Sequence, residues 1–287
     1  MRIIIDFDGT LTAEETQAAV LAEKSLHTLA GEIVRLPYER LVADYEATRA
    51  RLLQAPHRHG WRVNGLLASY CDEGAFILNT TVLQVMLRET PAYAAAVADF
   101  FPQAEYDPVV DCTNHLFHRH TAELSPAFRP PARDVLNALL AHPDRTPVVL
   151  TNSLGDKVRR QLSTLDLDGP IDVLGDTRQY EMDPAWTHHF AHPQLGPIQV
   201  WPVLDRYEID LRRPVYFEAL LEAQALDPQL VVVADTFSLP GGLPLMMGIP
   251  FFLTRTAYTP DWCVRVVNAH PHGYVLEDLG DLPAVLS

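Results

Sequence analysis

Asp6 and Asp8 stand one residue apart, directly after the apolar run Ile3-Ile4-Ile5 and directly before Gly9. In an extended backbone, side chains two residues apart point the same way, so the two carboxylates share a side. The β-branched run before them reads as a strand buried on both faces of a parallel sheet. Gly9 lets the chain turn sharply past the strand's carboxyl end, where open α/β sheets carry their ligands. Two carboxylates crowded there repel each other unless a cation or a shared proton relieves them. The spacing predicts a Mg2+ site, a carboxylate nucleophile, or both.

The run Asp6-Phe7-Asp8-Gly9-Thr10-Leu11-Thr12 resembles the first motif of the haloacid dehalogenase superfamily, an apolar strand followed by D-x-D-G-T. The resemblance implies that Asp6 attacks a phosphoryl group to form an aspartyl-phosphate. It implies that Asp8 protonates the leaving oxygen and later activates the hydrolytic water. Thr151, after the apolar run Val148-Val149-Leu150, matches the second motif. Its hydroxyl, with the main-chain N–H groups of Asn152 and Ser153, would hold the phosphoryl group; these residue types also cap helices well, and one residue can do both. Asp235, after Leu230-Val231-Val232-Val233-Ala234, matches the fourth motif. The implied metal set is Asp6, the main-chain carbonyl of Asp8, and Asp235, suited to Mg2+ once waters and substrate complete it.

Two motifs depart from the pattern. The third is a Lys in this superfamily, often followed by Pro, yet the chain holds only two lysines, Lys24 and Lys157. Lys157 follows Thr151 closely and reads as a solvated charge on the next helix. Arg213, preceding Pro214 and 22 residues before Asp235, takes the matching place, with Arg178 and Arg212 as weaker candidates. The second acid of the fourth motif is missing, because Thr236-Phe237-Ser238-Leu239-Pro240 follows Asp235. The resemblance implies a Mg2+-dependent phosphatase acting on a small phosphomonoester. A phosphomutase, or a degenerate non-catalytic binding or scaffold member, are the alternatives. A 2-haloacid dehalogenase is disfavoured, since those enzymes lack an acid at the position of Asp8.

Elements must bring these residues together. Apolar runs at 147–150, 230–234 and 250–254 read as further strands, alternating with helical segments at 131–142 and 214–225. Strands alternating with helices imply a three-layer, Rossmann-like α/β core with a parallel sheet. Residues 13–124 are rich in good helix formers with helical apolar spacing and show no convincing strand alternation. That block resembles a helical cap inserted after the first motif, leaving a core of residues 1–12 and 125–287. Residues 176–211 are rich in Pro, His and aromatics and read as a β-hairpin or irregular excursion.

Composition narrows the partners. The 287 residues carry a formal charge of −15, which argues against nucleic acid and against an anionic membrane surface. A small phosphorylated metabolite stays compatible, because a bound divalent cation reverses the local field. Cys71, Cys112 and Cys263 are too scattered for a disulfide framework or a zinc site and read as buried reduced thiols. With no signal-peptide pattern and no membrane-length apolar run, the expected location is the cytoplasm. The histidine groups 115/118/120 and 188/189/192 read as polar surface, and the stretch His57-Arg58-His59-Gly60-Trp61-Arg62 as a solvated loop, or, if it faces the first motif, as a place where Arg58 or Arg62 recognises an anionic substrate tail.

Overall fold

The computed structural model describes residues 1–186, 195, 198–204 and 206–286. His188, His189 and His192 lie outside the described residues. The chain forms two compact units, Met1–Glu14 with Ser125–Ser287, and Glu15–Leu124. The first crossing falls two residues later than the sequence suggests. Thr12 still bridges Phe128, and the Ala13 N–H donates to the Ala127 carbonyl at 2.7 Å, so backbone pairing keeps these residues with the core.

Strand β1 (Arg2–Ile5) opens the chain. The second unit then packs α1 (Ala18–Thr28), α2 (Tyr38–Leu52), α3 (Ala75–Glu89), α4 (Pro91–Phe100) and α5 (Pro108–Thr121) around buried Leu21, Leu41, Val82, Met86 and Leu116. Helix α5 starts cleanly because the Asp107 carboxylate accepts from the Val109 and Val110 N–H groups. The expectation of helix throughout this unit is wrong at one place. An antiparallel hairpin joins β2 (Gly60–Val63) to β3 (Leu66–Tyr70). Asn64 and Gly65 take φ of 50° and 78°, the left-handed pair that a tight two-residue hairpin turn demands. Arg58 and His59 precede that hairpin, and Trp61 and Arg62 lie in it, with Arg62 donating to the Gly65 carbonyl at 2.9 Å.

After α6 (Ala132–Leu140) the core continues through β4 (Thr146–Leu150), α7 (Gly155–Leu162) and β5 (Asp172–Leu174). A hairpin of β6 (Val200–Leu204) and β7 (Tyr207–Asp210) follows, then α8 (Pro214–Leu226), β8 (Leu230–Ala234), α9 (Gly242–Met246) and β9 (Phe251–Thr254). The segment after β9 forms α10 (Asp261–Ala269), β10 (Gly273–Leu276) and α11 (Leu282–Val285).

Six strands make one all-parallel sheet in the order β10-β9-β8-β1-β4-β5. Ile3 and Ile5 pack with Val149, Val231 and Val233 against α6, α7 and α11 on one face. The alternate residues Ile4, Val148 and Val232, which point to the other face, are buried as well. Both faces are therefore covered, giving the three-layer α/β arrangement that continuous apolar strands require.

All three cysteines are buried and outside any disulfide. Burial pushes Cys71 and Cys112 up to about 12, so neither offers a thiolate near neutrality. A thiol reagent at pH 8 should leave the native protein unlabelled and titrate all three groups after denaturation. Fast native labelling of Cys71 or Cys112 would contradict this packing.

Candidate active site

The central strand β1 is flanked by β4 and β8 in matched register: Ile5 pairs with Val149 on one side and with Val233 on the other. Asp6 extends that ladder, its N–H donating to the Val233 carbonyl at 2.9 Å. Asp6 thus shares a level with Leu150 and Ala234, and Thr151 and Asp235 come one residue further on. Neighbouring strands lie about 4.8 Å apart, so the apolar runs of three adjacent strands end in one polar cluster.

Gly9 turns the chain with φ of +85°, a value that glycine accepts without strain. Its missing side chain is filled by another group. A Cβ here would lie 2.1 Å from Asp235 Oδ2 and 2.7 Å from Oδ1, so only glycine admits that carboxylate. Thr10 completes the fit. Its hydroxyl accepts from the Asp235 N–H at 2.9 Å and donates to Asp235 Oδ1 at 3.2 Å. Arg129 holds the turn from outside through a 2.8 Å bond from Nε to the Gly9 carbonyl.

These carboxylates are electrostatically unhappy. Burial raises Asp6 well above the usual carboxylate range, and the charges of Asp8 and Glu14 add to the rise, against the lowering effect of the Phe7 N–H. Asp235 is raised by burial and then by Asp6, while Arg129, its own main-chain bond and Thr10 pull the other way. Two buried carboxylates, Asp235 raised further by the charge of Asp6, form a donor set that a hard divalent cation would satisfy. Among the described residues no group of three or more His, Cys, Asp or Glu side chains forms a ready metal cage. Asp6 and Asp235, with the Asp8 carbonyl that the resemblance implies, would suit Mg2+, which keeps several waters.

Thr151 is buried, and its hydroxyl accepts from the Ser153 N–H at 3.1 Å, which leaves its own O–H free to donate. The loop is braced by the segment after β5. Asp176 N–H donates to the Ser153 carbonyl at 2.9 Å, and Gln179 N–H donates to Asn152 Oδ1 at 2.7 Å. The Asn152 side-chain oxygen therefore braces the loop.

Lys157 corrects the sequence reading. It is a buried residue, not a solvated one, and its ammonium lies 3.0 Å from Ser153 Oγ and 3.5 Å from Asp8 Oδ1. The reason is helix geometry. Lys157 occupies the first turn of α7, and helical side chains lean toward the N-terminus, which here abuts the strand ends. Arg129 and the side-chain contacts of Ser153 and Thr10 are parts of the site that sequence reasoning passes over; only the scarcity of lysine in the chain hinted at Lys157.

Arg213 is buried, and each of its nitrogens donates to a main-chain carbonyl: Nε to Asp210 at 3.2 Å, Nη1 to Gln179 at 3.4 Å and Nη2 to Ser238 at 3.3 Å. Those three bonds fix the guanidinium. Tyr216, fully buried on the first turn of α8, is raised by burial and then by Asp6, and lowered by Arg213, so all three share one neighbourhood. The weaker candidates are engaged elsewhere. Arg212 forks onto Asp210 at 2.6 and 3.0 Å, and Arg178 pairs with Glu181 at 3.5 Å. In the helical unit, His115, His118 and His120 lie on α5; His120 is buried rather than on the surface, 2.9 Å from the Thr28 hydroxyl.

No family model matches the sequence, and no curated protein matches it. Solved structures do. The chain is similar to a hydrolase of the haloacid dehalogenase-like family from Streptococcus pneumoniae, at 12% identity over 100% of this chain and 98% of that one, with a TM-score of 0.52. It is similar to a predicted phosphoglycolate phosphatase from Haemophilus somnus, at 16% identity over 99% and 97%, with a TM-score of 0.50. A haloacid dehalogenase-type hydrolase from Bacillus subtilis, solved bound to magnesium, matches at 14% identity over 100% and 98%, with a TM-score of 0.50. The likeness is one of fold: a parallel six-stranded α/β core of the haloacid dehalogenase type.

Proposed function

We propose that this haloacid dehalogenase-type fold serves as a Mg2+-dependent phosphatase for a small phosphomonoester. The observation that carries the reading is the meeting of Asp6, Thr151 and Asp235 at three adjacent strand ends, with Asp235 seated in the space that Gly9 leaves. Asp6 attacks phosphorus through a carboxylate oxygen, and the bond from phosphorus to the leaving oxygen breaks. Asp8 gives that oxygen a proton. A water then attacks the aspartyl-phosphate, passes a proton to Asp8, and frees inorganic phosphate and Asp6. Thr151 donates to a phosphoryl oxygen, and the buried Arg213 offsets the negative charge gathered at the site. Mg2+, held by Asp6, Asp235 and the Asp8 carbonyl, would neutralise phosphoryl charge and fix the line of attack.

Phosphate release from 4-nitrophenyl phosphate and a panel of phosphorylated metabolites tests this, with and without EDTA. Turnover should need Mg2+ and vanish in Asp6→Asn. Wild-type release no faster than the Asp6→Asn background on every substrate would sink the reading.

A further inference from the structure

The contacts around Asp8 carry one step more. The Asp8 carboxylate is gripped at both oxygens: Ser153 Oγ donates to Oδ2 at 2.5 Å, and Lys157 Nζ stands 3.5 Å from Oδ1. The terminal torsion of an Asp side chain is broad and loosely two-fold, so one contact would leave the carboxylate free to rock. Two contacts on different oxygens stop it. The clamp is closed on itself, because Lys157 Nζ also donates to Ser153 Oγ at 3.0 Å.

The clamp is also fixed from below. Ser153 gives its N–H to the Thr151 hydroxyl and accepts at its carbonyl from Asp176 N–H at 2.9 Å. Gly175 lets the β5 end press against the start of α7; a Cβ there would lie 2.3 Å from the Gly155 backbone. Lys157 is placed against ordinary preference. A cation in the first turn of a helix opposes the helix dipole, and an ammonium is costly to bury unless it is paired. The side chain of Lys157 is only 6% exposed, while Asp8 keeps 19%, so the partner that Lys157 holds is still reachable. The chain uses arginine for 20 of its 22 cationic Lys and Arg residues and keeps a lysine here, where a compact three-donor ammonium can serve Ser153 and Asp8 together.

We propose that Ser153 and Lys157 form a positioning clamp that aims Asp8 at the leaving-group oxygen, so that they control the proton-donating half of the reaction. This rests on the phosphatase reading above. The clamp itself touches no reacting atom: the proton that reaches the leaving oxygen comes from Asp8, and the phosphorus–oxygen bond breaks as before.

Leaving groups separate this role from a merely structural one. A nitrophenolate departs without a proton, whereas an alkoxide needs one. For kcat/KM, which reports steps up to loss of the leaving group, Ser153→Ala and Lys157→Met should cost less than about 5-fold with 4-nitrophenyl phosphate. With an alkyl phosphate such as glycerol phosphate the loss should reach about 100-fold, in the range of general acid catalysis. Asp8→Asn should show the same leaving-group pattern, and adding Lys157→Met to Asp8→Asn should cost less than about 3-fold more, since residues acting as one unit are not additive. Ser153→Ala removes only a hydroxyl, which keeps the test sound if Lys157→Met folds poorly. Equal losses on both substrate types, or none, would overturn the clamp alone. A wild type without Asp6-dependent turnover on any phosphate ester would overturn the clamp together with the phosphatase reading.

Discussion

Gly9→Ala should lose both stability and turnover. A left-handed backbone at φ of +85° costs an L-residue about 1–2 kcal/mol by itself. The added Cβ would also sit 2.1, 2.5 and 2.7 Å from Oδ2, Cγ and Oδ1 of Asp235, well inside contact distance. That carboxylate cannot swing aside cheaply, because Thr10 holds Oδ1 at 3.2 Å. Either the turn or Asp235 must move, and each carries a proposed metal ligand. We expect a destabilisation of about 2–4 kcal/mol in denaturant unfolding. We expect at least a ~100-fold fall in kcat/KM, the scale on which an ångström of misplacement is felt. Gly65→Ala supplies the comparison. Gly65 also has positive φ, 78°, but an added Cβ meets nothing within 4 Å. It should show the backbone strain, about 1–2 kcal/mol, without the loss of turnover. Gly9→Ala behaving like Gly65→Ala would mean that the fit between Gly9 and Asp235 has no functional weight.

The same turn shows why some parts of this protein are legible from sequence. β1, β4 and β8 announce themselves as apolar runs because the sheet is covered on both faces, and each run stops at the residue where the ladder leaves the core. Asp6, Thr151 and Asp235 inherit their places from those endings. β5 gives no such signal. It is three residues long, with Asp172 and Leu174 exposed around buried Val173, as an edge strand allows. The β2–β3 hairpin was marked by Asn64-Gly65, a local cue outweighed by the helical composition around it. Lys157 illustrates a different gap. Its neighbours in sequence place it on a helix, but whether that helix turns it toward water or toward Asp8 depends on where α7 begins relative to β4. Arg129 reaches Gly9 across 120 residues of chain, and no local pattern encodes such a contact.

Asp6→Asn should abolish turnover and, in EDTA, make the protein more stable than the wild type. The amide keeps the shape of the carboxylate and can still accept from the Phe7 N–H, so the core loses no volume and no bond. What it loses is charge. In the wild type that charge is raised in energy by burial, by Asp8 and Glu14, and it raises Asp235 in turn. Removing it relieves the whole group, and sites strained for function commonly return about 1–2 kcal/mol when neutralised. The melting temperature in EDTA should therefore rise by several degrees. Mg2+ should reverse the order of benefit, raising the wild type more than Asp6→Asn, because the variant gives up one of the two proposed carboxylate ligands. Turnover should drop by at least ~10⁴-fold, since an amide cannot act as the nucleophile. Asp6→Ala separates charge from packing: it removes the same charge but also leaves a gap and an unpaired Phe7 N–H, so it should gain less than Asp6→Asn. An Asp6→Asn protein that melts below the wild type in EDTA would show that the carboxylate is not held under repulsion, and the case for a cation between Asp6 and Asp235 would lose its physical basis.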